Sequence, residues 1–304
     1  MNYLSGTSVV PRRTALACAL LVLAIVGISA FIRLTAAGLD CSPWPRCYGQ
    51  VQASVPSGTI EAVRVLHRVL AITLLPLILL LVMAGFARKP DAWEQRWIPV
   101  LALALVLFLA VLGRWTTGAK VPAVALGNLL GGFLLFALCT RMALVGRSPR
   151  GTDELSDSAR RWRRFAIGAV VLQIALGGLV SSSLAGLSCP AFPACALPSP
   201  MAWEALSPWH VPRVDSLTWP INPDGAIAQL LHRLVALVAA LAVVVAAVKL
   251  RRCGWRRTSS VLLVVLVVQI SLGVLLVLSG LPLAMAVTHN LLAAILLATL
   301  FSVP

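Results

Sequence analysis

Histidine is the residue type in this chain best suited to binding a metal or moving a proton, and the 304 residues contain only 4 of them. His67, His232 and His289 lie inside long apolar stretches, whereas His210 lies in a connecting segment of mixed polarity. An ionisable side chain within an apolar segment is costly to keep there, so its presence indicates a function. We take these three as candidate site residues and interpret His210 as a surface loop residue.

Two of the histidines have matching positions in the helices expected to carry them. His232 and His289 each lie six residues after the predicted start of an apolar helix, at positions 226 and 283. At ~1.5 Å per residue, both imidazoles lie about 9 Å below the same membrane boundary and can face each other. Paired imidazoles inside a helix bundle are the ligands of a six-coordinate haem iron. The pattern predicts a haem between them, with Arg233 placed to pair with a propionate.

Other chemistry has weaker support in the residue pattern. A membrane histidine can instead hydrogen-bond to a neighbouring helix or face a hydrated cavity, and this alternative stays open at each position. Zinc is a poorer interpretation, because the cysteines and the apolar-segment histidines fall at different depths and form no tight cluster. The sequence has neither a phosphate-binding P-loop nor the nucleophile elbow of serine hydrolases.

The elements that must position the histidines are eight apolar stretches. Of all residues, 60% are hydrophobic and only 12% are charged, and the charges are bunched between the stretches. A helix that crosses the hydrocarbon core needs roughly 20 apolar residues, and each stretch is long enough. The sequence therefore predicts an all-α integral membrane protein. The expected helices cover about 14–34, 64–86, 97–117, 121–144, 164–184, 226–248, 258–280 and 283–303.

The distribution of the net charge of +15 indicates topology rather than a partner. Most of the basic residues precede the first apolar stretch or lie in every second connection, on one side of the membrane. By the positive-inside bias, both termini are cytoplasmic, and nucleic acid is not an expected partner. The first apolar stretch is too long for a signal-peptide core, so we expect a retained anchor helix in a bacterial plasma membrane.

The chain also contains an internal repeat. Three short segments of the first half match three segments of the second half in the same order. The matching pairs are Ala37–Cys47 with Ala185–Cys195, Leu66–Val69 with Leu231–Leu234, and Gly127–Leu130 with His289–Leu292. The repeat predicts two pseudo-symmetric four-helix bundles related by an axis roughly along the membrane normal. We assign 1–150 to the N-terminal half, 151–163 to a charged cytoplasmic linker and 164–304 to the C-terminal half.

Four of the 7 cysteines belong to the repeated loops. They are Cys41 and Cys47 in the first loop, and Cys189 and Cys195 in the second, with the same spacing. The expected topology places both loops outside the cell, where an oxidising compartment permits disulfides. All four are disulfide candidates.

These features together resemble the haem A synthase family over essentially the whole chain. The resemblance rests on the repeated cysteine loops, the two His-Arg pairs at His67 and His232, Gln173 and Gln269 in corresponding helices, and His289. It implies an enzyme that oxidises a methyl group of haem O to the formyl group of haem A. It also implies a haem b cofactor on His232 and His289, water as the oxygen source, and haem O synthase or terminal oxidase subunits as partners.

The N-terminal half departs from the family pattern. The family uses two histidines and a glutamate there to handle the substrate haem, but this chain has Arg64 at the glutamate position and Gly127 at the second histidine position. One hypothesis is a divergent synthase that binds the substrate iron through His67 alone, with Arg64 or Arg68 on a propionate. The alternative is a paralogue that binds haem b without oxidising haem O. A solute transporter also fits a parallel repeat, but the helices show no breaks.

Overall fold

The structure, a computed structural model, describes residues 9–39, 44–49, 57–87, 93–116, 121–144, 155–196, 202–215 and 220–303. Within these ranges, eight α-helices are long and apolar enough to span a membrane. They are α1 (Val9–Ala36), α2 (Ser57–Phe86), α3 (Trp93–Thr116), α4 (Pro122–Leu144), α5 (Asp157–Ser182), α6 (Ala226–Arg252), α7 (Arg256–Leu278) and α8 (Leu283–Phe301). The predicted all-α membrane fold is confirmed.

The helix starts agree with the sequence at α6 and α8 and differ at α2 and α5, whose first turns are polar. α6 and α8 start at Ala226 and Leu283, as predicted, whereas α2 and α5 start seven residues before the predicted positions. The Ser156 hydroxyl accepts a hydrogen bond from the Ala159 backbone N–H at 3.2 Å and caps α5. A charged first turn with a good N-cap is helical without being apolar, so a hydropathy pattern does not detect it.

The eight helices form two four-helix halves that meet along one seam. In the first half, α1 and α3 each contact α2 and α4; in the second, α6 and α8 each contact α5 and α7. The seam brings α1 and α4 of the first half against α5 and α8 of the second. Each half therefore repeats the same arrangement, which places α1, α4, α5 and α8 at the centre and the other helices at the periphery.

Small residues line the tightly packed interior, whereas large apolar side chains cover the outside. Ala239, Ala242 and Ala246 of α6 recur on one helical face and are buried. Leu237 of α6 and Ile72 of α2 are each 70% exposed. Lipid tails are as apolar as leucine, so membrane helices associate by close packing of small residues rather than by hiding large ones. The exposed apolar surface is what a lipid-facing bundle requires.

The two ends of the bundle differ in character. At one end, which we call the cysteine-loop face, the segments after α1 and α5 pack together around Leu39, Tyr48, Leu187 and Ile221. At the opposite end, the basic face, the guanidinium groups of Arg141 and Arg163 donate to the Val303 carbonyl oxygen at 2.8 and 2.9 Å. Both faces join the first half to the second.

Candidate functional site

The His232 imidazole lies in the interior of the second half, between α6 and α5. The side-chain amide nitrogen of Gln173 lies 3.3 Å from His232 Nε2. Gly177, one turn further along α5, lies directly beside the ring, because a Cβ atom built there would stand 2.8 Å from His232 Cε1. Gln173 thus holds the ring on one edge and Gly177 leaves room for it.

The His289 imidazole has the same pair of neighbours on the other side of the half. The amide nitrogen of Gln269 on α7 lies 3.2 Å from His289 Nε2. A Cβ atom at Gly273 would stand 3.1 Å from His289 Cε1. Glutamine and glycine are four residues apart in both α5 and α7, which places them on one helical face. The second half therefore builds the same histidine environment twice.

The two imidazoles and the glutamines beside them carry polar atoms that are not used in the structure. The Nδ1 atoms of His232 and His289 and the Oε1 atoms of Gln173 and Gln269 are buried without a hydrogen-bond partner. Buried polar atoms are nearly always paired, so two unpartnered atoms in each histidine environment make both environments candidates for ligand binding.

The donor set fits a haem better than a bare metal ion. Among the described residues, no group of three or more His, Cys, Asp or Glu side chains converges. A zinc ion needs about four such ligands from the protein, whereas an iron held by a porphyrin needs only one or two axial ligands. Two imidazoles with unpartnered nitrogens and glycines beside the rings match that requirement.

Arg233 is engaged by the disulfide loop that covers the start of α6. Its guanidinium group donates to the carbonyl oxygen of Cys189 at 2.7 Å and to that of Ala191 at 3.0 Å, and it lies 5.5 Å above the Phe192 ring centroid. The loop is closed by the Cys189–Cys195 disulfide, whose Cα atoms are 4.7 Å apart. Arg233 thus anchors the loop, and its predicted pairing with a propionate stays a prediction.

Gln229 is a structural residue of the site that the sequence argument missed. It is 4% exposed, accepts a hydrogen bond from the Cys189 backbone N–H at 2.7 Å, and donates to the Gly186 carbonyl oxygen at 3.0 Å. It lies three residues before His232, at the position that matches Arg64 in the first half. The repeat offset alone was the signal that could have identified it.

The first half has no second histidine environment of this kind among its described residues. His67 is partly exposed on α2, and the neighbouring Arg64 and Arg68 are exposed. At Gly127, a Cβ atom would stand 2.8 Å from a methyl group of Leu112. The space beside Gly127 is therefore filled by a leucine from α3, whereas His289 at the matching position of α8 projects over a glycine of α7.

The remaining predicted residues lie at the cysteine-loop face or outside the residues that the structure describes. Cys47 is buried and disulfide-bonded, while Cys41 falls outside the described residues. His210 Nδ1 lies 3.9 Å from a carboxylate oxygen of Glu204, whose side chain is 81% exposed. That setting agrees with a surface loop residue, so His210 takes no part in the paired histidine site.

Comparison with known proteins gives the geometry a family context. A family model described as cytochrome oxidase assembly protein, COX15-CtaA, matches residues 57–301. A heme A synthase of Shewanella oneidensis is 30% identical, with 92% of each chain covered. Another heme A synthase, from Methylobacterium sp., is 26% identical over 94% of this chain and 89% of the relative.

Both kinds of comparison extend through the second half and include the paired histidines. The family model covers α2 to α8, so it spans parts of both halves rather than one bundle. The helix count and apolar character agree with the earlier resemblance. The chain therefore belongs to the COX15-CtaA family of cytochrome oxidase assembly proteins.

Proposed function

We propose that this protein oxidises a methyl group of haem O to the formyl group of haem A. The observation that carries the proposal is the paired environment of His232 and His289, with an unpartnered Nδ1 on each ring. Family membership and relatives named heme A synthase support the same activity. Haem O is then the substrate, and water supplies the oxygen atom.

His232 and His289 would hold a haem b. When bound, that haem would supply one-electron redox chemistry. Gln173 and Gln269 fix the orientation of the two rings before binding. Gly177 and Gly273 leave each ring the space that a larger side chain would fill. The protein's own contribution at this site is thus to orient the two imidazoles.

His67 is the proposed ligand of the substrate haem in the first half. Arg64 and Arg68 lie within one turn of it on α2 and are exposed, so either guanidinium group is free to turn toward a propionate. Leu112 fills the space beside Gly127, which leaves the substrate iron with one protein ligand. A coordination position that the protein does not fill is a reasonable requirement for a haem that must enter and leave.

The proposed setting is a bacterial plasma membrane with both termini in the cytoplasm. The basic face then lies inside, in accord with the positive-inside bias. The cysteine-loop face lies outside, where an oxidising compartment is compatible with the Cys189–Cys195 disulfide. Residues 1–150 and 164–304 act as substrate half and haem b half, joined through 151–163. Haem O synthase and terminal oxidase subunits are the proposed partners.

A second candidate function is binding of haem b without oxidation of haem O, for haem handling or oxidase assembly. Two observations favour it: Leu112 fills the space beside Gly127, and an exposed Arg64 stands where a glutamate is expected. Neither affects the paired histidines of the second half. The two candidates therefore differ only in what the first half does.

Extraction of haems from cells separates the two candidates. The protein is co-expressed with a haem O synthase in a host that lacks haem A, and the extracted haems are separated by chromatography. We expect haem A or its hydroxylated intermediate with the wild-type chain and neither with His67→Ala. Haem O alone beside folded wild-type protein that carries haem b would refute oxidation and leave the haem-binding paralogue.

A further inference from the structure

Arg33 is a half-buried cation that joins the two halves close to His232 and His289. It lies in the last turn of α1. Its guanidinium group donates to the Ser181 hydroxyl of α5 and to the Asn290 side-chain oxygen of α8, the latter at 3.4 Å. One arginine of the first half thus reaches both central helices of the second.

The two contacts place the guanidinium group one turn beyond the histidine site, toward the cysteine-loop face. Gln173, Gly177 and Ser181 follow one another at four-residue spacing on α5, so they share one helical face. The first two contact His232, and Ser181 contacts Arg33. Asn290 follows His289 directly in α8. Arg33 therefore lies beside both imidazole-bearing walls of the site, about 6 Å further along α5.

Among the described residues, the positive charge of Arg33 has only neutral partners. Its hydrogen-bond partners, Ser181 and Asn290, carry no charge. Tyr48 also interacts with it electrostatically, but burial raises the pKa of the Tyr48 hydroxyl to about 12, so the phenol stays protonated at neutral pH. A charge held away from water is costly without a counter-ion. The residues that the structure describes around this site thus supply the positive half of an ion pair and no negative half.

Asn290 adds a second donor that has no partner. Its side-chain nitrogen is buried and makes no hydrogen bond, although its oxygen accepts from Arg33. An arginine fork with an adjacent amide N–H is a good receptor for a carboxylate, because each carboxylate oxygen can accept from a different donor. By contrast, Arg233 already donates to four backbone carbonyl oxygens of the disulfide loop.

We propose that Arg33 and Asn290 bind a propionate carboxylate of the haem that His232 and His289 ligate. This inference rests on the proposed haem b site and adds to it a residue from the other half of the molecule. The first half then supplies the charge partner of a cofactor whose iron ligands all come from the second half. The halves cannot separate without loss of that contact.

The test compares haem b with its dimethyl ester, in which both propionates are neutral. Full-length protein is produced in haem-deficient cells, purified in detergent and titrated with each haem, and binding is followed by the absorbance of the bis-histidine complex. We expect wild-type protein to bind haem b about tenfold more tightly than the ester, as for loss of one charge-assisted contact. In Arg33→Gln, the two affinities should become nearly equal.

Controls keep the result specific to Arg33. Arg114→Gln removes an exposed arginine from the last turn of α3 and should keep the wild-type preference. If Arg33→Gln does not fold, Arg33→Lys provides the comparison, with a reduced preference expected because lysine lacks the fork. An unchanged preference in the Arg33 variant, or no preference in wild-type protein, would overturn the inference while the haem site stands. Failure of wild-type protein to bind either haem would refute the proposed haem b site itself.

Discussion

The two halves of the molecule share one framework but differ at the positions where a haem would bind. In the second half, His232 and His289 each have a glutamine at one ring edge and a glycine beside the ring. In the first half, His67 is partly exposed, and Gly127 stands where the second histidine would be. The same helices therefore carry two candidate ligands in one copy and a single candidate ligand in the other.

The exchange of large and small residues explains how the first half tolerates the change. His289 of α8 rests on Gly273 of α7, whereas Gly127 of α4 lies under Leu112 of α3. Space that a ring occupies in one half is thus occupied by a side chain of the opposite helix in the other. Arg33 and Ser181 occupy matching positions of the repeat, and they are also a large residue and a small one. Of the two, only Arg33 is charged.

The largest contrast between the halves should come from removing one histidine from each. His289→Ala leaves haem b with one axial ligand, so we expect near-complete loss of the b-type reduced-minus-oxidised spectrum in purified protein. His67→Ala should retain that spectrum, because His67 belongs to the first half. Haem content measured on folded protein tests both.

Two outcomes would contradict the assignment of the resident haem to His289 and the second half. Full haem content in His289→Ala would mean that His289 is not an axial ligand. Loss of the spectrum in His67→Ala, with the variant folded, would mean that the resident haem lies in the first half. His210→Ala is a suitable control, because its side chain lies in a loop beside Glu204.

A reciprocal exchange should build the missing ligand pair in the first half. In Leu112→Gly with Gly127→His, the new imidazole has the space that Leu112 now fills. We expect haem bound per chain to rise from about one to two, measured by the pyridine haemochrome assay against protein concentration. The added haem should show a bis-histidine spectrum.

Gly127→His alone is the matched control for the exchange. Its Cβ atom would stand 2.8 Å from a Leu112 methyl group, so the ring cannot take the position of His289 without moving the leucine. We expect little gain in haem from the single variant. Two haems in the single variant, or one in the double variant, would show that Leu112 does not control the site.

The sequence predicted the eight-helix framework because it depends on regular helix geometry, while the pairing of His232 with His289 on one haem stays a prediction. Apolar length indicated eight spans, and the starts of α6 and α8 agree with the predicted residues. With those starts known, equal depth of His232 and His289 follows from the helical rise. The helix faces on which Gln173 and Gln269 lie also follow from spacing, although their contact with the histidines needed the packing.

The contacts that cross between elements could not be predicted from one sequence. The roles of Leu112, Arg33 and Gln229 depend on which helices meet and on which loop covers them. Arg233 is an example: proximity to His232 suggested a propionate, but the folded loop directs four carbonyl oxygens at its guanidinium group. Hydropathy also missed the polar first turns of α2 and α5.

Substitution of the glycines beside the rings should weaken haem binding less than removal of a histidine does. The size of the effect should differ between the His232 and His289 environments. A methyl group at Gly177 would stand 2.8 Å from His232 Cε1, and one at Gly273 would stand 3.1 Å from His289 Cε1. Overpacking of this kind costs about 1–3 kcal/mol. We expect Gly177→Ala to weaken haem binding about tenfold, and Gly273→Ala to weaken it less, in haem titrations of purified protein.

Gly168 provides the matched control on α5. No atom lies within 4 Å of a Cβ built at Gly168, so Gly168→Ala should bind haem as the wild type does. Its helix should gain a few tenths of a kcal/mol, because alanine is the better helix former. Equal haem affinity in the Gly168 and Gly177 variants would mean that the ring position at Gly177 is not needed for binding.

The smallest expected effect tests whether the first half also acts as a scaffold for the second. Arg141 of α4 donates to the carbonyl oxygens of Phe301 and Val303 at 3.0 and 2.8 Å, at the end of α8. Unpaired terminal carbonyls and the helix dipole favour a cation there. We expect Arg141→Gln to lower stability by about 1 kcal/mol, measured by thermal unfolding in detergent.

Arg160→Gln is the matched control, because it removes a basic charge without removing the contact between Arg141 and the end of α8. Arg160 pairs at 3.3 Å with Asp157, whose side chain is 82% exposed, and such surface pairs contribute little. If both variants unfold at the wild-type temperature, the Arg141 contact does not stabilise the end of α8. If Arg141→Gln lowers the unfolding temperature and Arg160→Gln does not, the Arg141 contact stabilises α8. The first half, with His67 as its single candidate haem ligand, then helps to hold the helix that carries His289.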